Sequence, residues 1–157
     1  MADKYDAYKD GDPYGSFNFH VKIDGADDAL AARFSEVSGL KGDVEVFEIK
    51  EGGLNDRTRT FPGRVTWGPV TLKRGIDADK TFYDWWRAIV ENKSSAGDRR
   101  KKVTIQLLDE DFSTKQTWVL ANAWPKSWES ASLNAGGSDL AFETVVLSHD
   151  GIEESKS

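Results

Sequence analysis

The stretch from Val70 to Trp86 constrains the fold more than any other, because a strand pattern runs through a glycine turn into an amphipathic helix. After Gly75, Asp77 or Asp79 can cap that helix, since a short carboxylate accepts hydrogen bonds from the first free backbone NH groups. Large apolar side chains then recur at helical spacing, at Phe82, Trp85, Trp86, Ile89 and Val90. The pattern predicts a helix over about 79–91 whose apolar face packs on a sheet.

Alternation of apolar and polar residues predicts nine strand segments around this helix. They are 17–23, 33–37, 44–50, 57–61, 65–67, 70–74, 103–107, 117–121 with an irregular continuation over 124–128, and 140–148. Pro62-Gly63 is predicted to turn the chain between two of them. The expected fold is mainly β, a β-sandwich or barrel-like protomer with one flanking α-helix. We expect one folded domain over 16–152, between an N-terminal arm at 1–15 and a C-terminal tail at 153–157.

The strand at 44–50 has an unusual pattern, because the sequence V-E-V-F-E-I-K places apolar and charged residues on both of its faces. The polar stretch 51–56 is predicted to be a flexible tip from which the strand at 57–61 returns. The result is a long hairpin in which neither face is recognisable as the core face.

Composition limits the classes of protein to which the chain can belong. A length of 157 residues suits one domain, and the absence of cysteine excludes a disulfide framework, a thiolate nucleophile and a cysteine-based zinc site. A net charge of -6 argues against direct nucleic-acid binding by the surface as a whole, and no specific nucleic-acid sequence is expected as a partner. The sequence shows no signal-peptide pattern and no apolar run long enough to span a bilayer, so we expect synthesis in the cytoplasm.

No constellation of residues predicts catalysis, a metal or a cofactor. His20 and His149 fall in different strands without metal-ligand spacing, and Asp109-Glu110-Asp111 is a hairpin turn rather than a calcium loop. The G-x-S-x-G elbow and the phosphate loop are both missing from the sequence.

Two weaker patterns leave binding functions open. Arg57, Arg59 and Arg64 precede Lys73-Arg74, and they form either a phosphate-facing stripe or, as we favour, a solvated or subunit-facing surface balanced by acidic residues. Of the six tryptophans, Trp67, Trp124 and Trp128 are not needed by the predicted helix packing and are candidates for a carbohydrate site.

Ordered landmarks along nearly the whole chain resemble those of the phage T4-like tail tube proteins, a family that includes the inner-tube subunits of contractile injection systems. The matching segments are D-P-Y at 12–14 with Phe17 and Phe19, F-S-E-V-S-G-L at 34–40, E-G-G at 51–53 with Asn55, P-G at 62–63, T-L-K-R-G at 71–75, Trp85, R-R at 99–100, L-L-D-E at 107–110, N-A-W-P at 122–125 and H-D-G at 149–151. Each is weak alone, whereas their order and spacing together are specific. W-G-P at 67–69 departs from the family pattern, in which an Asn or a similar residue often precedes the T-L-K-R-G strand.

The resemblance implies a structural protein without enzymatic activity, in which six copies close into a ring with a continuous inner β-barrel. Rings would stack into a rigid tube that serves as conduit and puncturing rod when a surrounding sheath contracts. The implied partners are further copies of the chain, sheath, baseplate, tube-initiator, spike and terminator proteins, and cargo in the lumen. The implied location is a phage tail-like particle or a virion tail.

The resemblance also implies which residues form the contacts between subunits and between rings. The expected set is Asp12, Tyr14, Glu51, Gly52, Gly53, Asn55, Arg57, Arg59, Lys73 and Arg74. We expect Lys73 and Arg74 to lie where the core meets a subunit surface, so that changing Arg74 spares folding and harms assembly. The helix is expected to attach to the sandwich through Phe82, Trp85, Trp86 and Ile89. A tube protein of the type VI secretion system and a carbohydrate-binding β-sandwich remain as alternatives.

Overall fold

A computed structural model of the chain describes residues 18–25, 32–50, 52–53, 58–76, 80–92, 99–130 and 141–156. Over these ranges it contains one helix and ten strands. In chain order they are β1 (Phe19–Ile23), β2 (Ala32–Phe34), β3 (Glu36–Ser38), β4 (Gly42–Ile49), β5 (Arg59–Trp67), β6 (Val70–Gly75), α1 (Thr81–Val90), β7 (Lys101–Leu108), β8 (Thr114–Ser130), β9 (Phe142–Ser148) and β10 (Gly151–Lys156). The mainly β fold with one helix confirms the predicted fold class.

The long strand β8 joins two antiparallel sheets. Its first half pairs with β7 on one side and β10 on the other, and β1 and β2 extend this sheet beyond β7. Its second half pairs with β9, beyond which lie β6 and β3. The strand changes sheets near Asn122, which has a φ of 49° and lies in a β-bulge. Asn122 Nδ2 donates to Asp150 Oδ2 at 3.0 Å and so holds this bend.

The core lies between these two sheets. Alternate residues along β6 and β9 are buried, which is the period of a strand with one face on a core. The fully buried Val, Leu and Ile residues of the core are Val21, Val70, Leu72, Val103, Ile105, Leu120, Val145 and Leu147. Burying each such side chain contributes about 1.5–3 kcal/mol before conformational entropy is subtracted.

Helix α1 packs on this core through its apolar face. Phe82 and Trp85 are buried, and the Phe82 ring meets Phe34 edge-on with 5.2 Å between centroids. Trp86 is half-buried beside Trp128 of β8, with 6.0 Å between ring centroids, and Ile89 packs against the same core. The helix begins at Thr81, while the candidate caps at positions 77 and 79 lie outside the described residues.

Three local predictions are wrong. The single strand expected at 33–37 is interrupted at Ser35, whose backbone NH donates to the carbonyl of Lys73, so that β2 and β3 join different sheets. Pro62-Gly63 does not turn the chain, because both residues lie inside β5 at a β-bulge, where a proline is tolerated. The expected tail at 153–157 begins within a strand, since β10 pairs with β8 over Gly151–Lys156.

Candidate subunit interface

The β4–β5 hairpin is a separate two-stranded sheet that exposes large apolar side chains on both faces. Every residue of β4 is exposed, and the exposed fraction reaches 65% for Val46 and 56% for Phe47. The other large apolar side chains exposed here are Val44, Ile49, Phe61, Val65 and Trp67. Soluble monomers rarely expose a contiguous apolar patch of this kind, which marks an interaction surface.

A β-bulge sorts the hairpin side chains between its two faces. Val44 pairs with Val65 and Val46 with Pro62, so Gly63 and Arg64 together oppose Glu45. Because side chains alternate along a strand, one face carries Gly42, Val44, Val46, Pro62, Val65 and Trp67, which we call the apolar face. The opposite face carries Asp43, Glu45, Phe47, Phe61, Arg64 and Thr66, which we call the mixed face.

Aromatic rings cover the two strand glycines of the hairpin. A Cβ on Gly42 would lie 2.7 Å from the Trp67 ring, and a Cβ on Gly63 would lie 2.4 Å from the Phe47 ring. A larger residue at either glycine would displace the ring that covers it. The glycines therefore allow one aromatic side chain to lie flat on each face of the hairpin.

Backbone contacts fix the base of the hairpin to the sandwich. Gly39, with a φ of 83°, approaches Pro69 so closely that a Cβ would lie 2.1 Å from the Pro69 carbonyl oxygen. The Gly68 NH donates to the Lys41 carbonyl at 3.1 Å, and a ring nitrogen of His149, Nε2, lies 2.8 Å from the Gly68 carbonyl oxygen. The hairpin thus projects from a defined anchor although its own side chains are exposed.

A groove runs along the sandwich beside this anchor. It is lined by Trp67, Lys102, Val119, Ala121, Asn122, Gly151, Ile152 and Glu153. The Trp67 ring lies 3.6 Å from the Cβ position of Gly151. Trp67 belongs both to this groove and to the apolar face, so the two surfaces are continuous.

The structure describes only part of the expected contact set. Asp12, Tyr14, Glu51, Asn55 and Arg57 lie outside the described residues. Gly52 and Gly53 form a turn at the hairpin tip, where Gly53 has a φ of 108°. Arg59 is exposed at the start of β5, opposite Ile49. Of these positions, the structure brings Gly52, Gly53 and Arg59 together on one hairpin.

Arg74 is not the surface residue that we expected. Its side chain is 2% exposed and forms a 2.7 Å salt bridge with the buried Glu143. Side chains alternate between the two faces of β6, so that Lys73 is partly exposed whereas Arg74 lies on the core side. Lys73 Nζ lies 4.9 Å from the Phe142 ring centroid. The two residues therefore have separate roles, and Arg74 belongs to the core.

Sequence reasoning missed Glu143 and most of the hairpin residues. Glu143 occupies the same strand parity as Val145 and Leu147, a signal that places a carboxylate among core positions. For the hairpin, the alternation of apolar and charged residues was visible in the sequence. The β-bulge that determines which residues share a face was not visible there.

The three tryptophans considered for a carbohydrate site lie in different environments. Trp128 Nε1 donates to Glu143 Oε1 at 2.6 Å, and its ring packs against Tyr83 at 4.8 Å between centroids. Trp124 packs against the core. Trp67 is the exposed member of the three. The three rings therefore do not share one exposed surface.

Histidine and acidic residues show no sign of a metal centre in the described ranges. No group of three His, Asp or Glu side chains there could hold a metal ion. Partial burial, with the positive charges of Arg33 and Lys22, lowers the pKa of His20 below its ordinary 6.5. Among the described residues, no helix is long and apolar enough to cross a membrane.

Residues 15–153 match the model of a protein family described as the T4-like virus tail tube protein gp19. No curated protein matches the chain.

Solved structures with the same fold include components of contractile injection systems. A chain from the PVC extracellular contractile injection system, in its sheath/tube terminator in the extended state, is 26% identical over 94% of this chain and 99% of that chain, with a TM-score of 0.74. A chain from the six-fold symmetrised baseplate of the anti-feeding prophage is 22% identical over 95% and 98%, with a TM-score of 0.73. Hcp1 from Flavobacterium johnsoniae is 13% identical over 90% and 97%, with a TM-score of 0.52.

Proposed function

The chain belongs to the family of T4-like virus tail tube proteins, and from this membership we propose that six copies close into a ring and that rings stack into a rigid inner tube. A tube of this kind acts as conduit and puncturing rod when the sheath around it contracts. The protein is a structural tube subunit, and this role requires no bond chemistry.

The exposed β4–β5 hairpin is the observation that carries the proposal. Its apolar side chains are exposed on both faces in the isolated protomer, so folding alone leaves them in water. A ring covers one face with a neighbouring copy and turns the other towards a lumen. In this arrangement the exposed apolar surface is the contact on which assembly depends.

The free edges of the hairpin support the same conclusion. Within the described ranges β4 and β5 pair only with each other, which leaves an open edge on each strand. Such edges template aggregation unless they are covered. Closing strands across copies into a barrel removes them.

Stacking of rings is a head-to-tail contact, which produces an open filament rather than a closed particle. We propose that the tip residues Glu51, Gly52, Gly53 and Asn55 and the arm residues Asp12 and Tyr14 contact adjacent subunits or rings. Arg57, Arg59 and Lys73 complete the proposed set, from which burial removes Arg74.

The proposed partners are a sheath protein, baseplate and tube-initiator proteins, and spike and terminator proteins at the two ends. Structural matches to chains of a sheath/tube terminator and of a baseplate support the proposal that sheath and baseplate proteins are partners. The proposed location is therefore a contractile phage tail or an injection particle.

A type VI secretion tube protein is the second candidate function, and its fold is shared with Hcp1. The higher TM-scores of the contractile injection system chains favour the first proposal.

Co-expression of the chain with the sheath and baseplate proteins of its own particle tests the proposal. Negative-stain microscopy is expected to show rings or hollow tubes, and omission of the baseplate proteins is expected to reduce tube formation because filaments need nucleation. A protein that stays monomeric even with those partners would contradict the proposal.

A further inference from the structure

The two faces of the β4–β5 hairpin differ in charge. From Gly42 to Val46 and from Pro62 to Trp67, the apolar face carries no ionisable side chain, because Asp43, Glu45 and Arg64 all lie on the mixed face. Towards the tip, Glu48 and Thr60 follow on the same side as Val46. The uncharged surface is therefore confined to the half of the hairpin nearest the sandwich.

The apolar face is also continuous with a surface of the sandwich. Trp67 ends this face and lines the groove, in which Val119, Ala121 and Ile152 add apolar side chains. The face and the groove together form one predominantly apolar surface that extends from the hairpin onto β8 and β10, and Lys102, Asn122 and Glu153 are the polar residues that line the groove. This continuity gives a partner a larger area to cover than the hairpin alone.

Covering the two faces has different costs. Burial of Val44, Val46 and Val65 is favourable at roughly 25 cal/mol for each Å² removed from water. Burial of Asp43 and Glu45 requires a charged or hydrogen-bonding partner for each carboxylate, without which desolvation opposes assembly. The mixed face is therefore the face that remains hydrated.

We propose that the adjacent copy of this chain covers the apolar face, and that the mixed face lines the lumen of the tube. This assignment rests on the proposed function, because it takes the covering partner to be a second copy. The lumen wall then presents Asp43 and Glu45 beside Arg64, with the Phe47 and Phe61 rings next along the two strands towards the tip. These three ionisable side chains thus lie nearer the sandwich than the two aromatic rings.

Thiol labelling distinguishes the two faces, since the natural chain contains no cysteine. Val46→Cys and Phe47→Cys form a matched pair, because the two positions are adjacent, similarly exposed in the protomer and on opposite faces. Each variant is co-assembled as a minor fraction with unmodified protein and labelled with N-ethylmaleimide, both in the tube and as free protomer. Val44→Cys, on the apolar face, and Glu45→Cys, on the mixed face, form a second pair that repeats the comparison nearer the base of the hairpin.

We expect assembly to slow the labelling of Val46→Cys by about tenfold or more, since a packed interface excludes water. Phe47→Cys should keep a rate within a few-fold of the free protomer. Protection of both positions, of neither, or of Phe47→Cys alone would overturn the assignment of faces. Failure of the unmodified protein to form tubes would instead contradict the proposed function, so the two failures are distinguishable.

Discussion

Arg74 and Glu143 form a salt bridge inside the protomer, with 2.7 Å between Arg74 Nε and Glu143 Oε2. The guanidinium also lies over the rings of Phe34 and Phe82, at 5.4 and 5.7 Å from their centroids. Trp128 donates to the second carboxylate oxygen, Oε1. The pair thus connects β6 and β9 with the helix and with β8, and removal of either charge leaves the other buried.

Arg74→Ala is expected to lower the free energy of unfolding by about 3–5 kcal/mol, because it leaves the Glu143 carboxylate without its charge partner. Urea denaturation of the protomer measures the change. Lys73→Ala, at the half-buried neighbour, is the control and should cost less than about 1 kcal/mol. Equal stability of the two variants would contradict the core role of Arg74.

Trp128→Phe is expected to lower the free energy of unfolding by about 1.5–3 kcal/mol, because it removes a hydrogen bond to a charged group. The substitution keeps an aromatic ring beside Tyr83. Trp124→Phe is the matched control, since this indole makes no hydrogen bond within the described part of the chain. Urea denaturation followed by circular dichroism compares the two variants. A cost no larger for Trp128 than for Trp124 would show that its hydrogen bond does not stabilise the fold.

Gly39→Ala and Gly25→Ala separate backbone strain from a steric clash, because both glycines have a φ of 83°. A Cβ on Gly25 meets nothing within 4 Å, so the conformational cost alone, about 1 kcal/mol, is expected. A Cβ on Gly39 meets the Pro69 carbonyl oxygen, so Gly39→Ala should lower the free energy of unfolding by about 1 kcal/mol or more beyond the effect of Gly25→Ala. Thermal unfolding measures both, and equal losses would contradict the close approach at the hairpin base.

His20 is expected to make the protomer less stable as the pH falls. The unfolded imidazole takes up a proton near its ordinary pKa of 6.5, whereas the pKa of folded His20 is lowered. Below pH 6.5 the unfolded state therefore binds more protons, and stability decreases with decreasing pH. His20→Gln should remove this part of the pH dependence in urea titrations at neutral pH and about pH 5. An unchanged pH dependence would contradict the lowered pKa.

Val46→Asp is expected to leave the protomer folded and to prevent tube formation. The side chain is exposed in the protomer, so the free energy of unfolding should change by about 0.5 kcal/mol or less. In the tube it would place a carboxylate in an apolar contact. Val90→Asp, at an exposed position on α1, is the control. This variant should still form tubes when the sheath protein is left out of the assembly. Sedimentation of tubes compares the two, and normal assembly of Val46→Asp would argue against this surface as an interface.

Periodicity in the sequence was sufficient to predict the helix and most strands. Phe82 and Trp85 recur at helical spacing and are buried in the core. The split at Ser35 was not predictable, because it depends on a hydrogen bond to Lys73, 38 residues away. The buried position of Arg74 was missed because a charged residue is ordinarily assigned to the surface, whereas its burial depends on Glu143, 69 residues along the chain.

The hairpin shows most clearly where sequence reasoning ends. The pattern at 44–50 correctly indicated two faces that both carry apolar residues. The faces could be distinguished only from the β-bulge that sets Gly63 and Arg64 against Glu45, because a one-residue shift exchanges the faces. What covers the apolar face is a property of the assembly and of more than one chain.

A cryo-electron microscopy map of the assembled particle tests the central claim most directly. We expect six copies of this chain in each ring, with the β4–β5 hairpins forming a continuous inner barrel. In that map the Val46 side chains should contact the adjacent copy, and the Glu45 side chains should project into the lumen. A tube in which the hairpins lie on the outer surface, or a particle that lacks this chain in its tube, would contradict the claim.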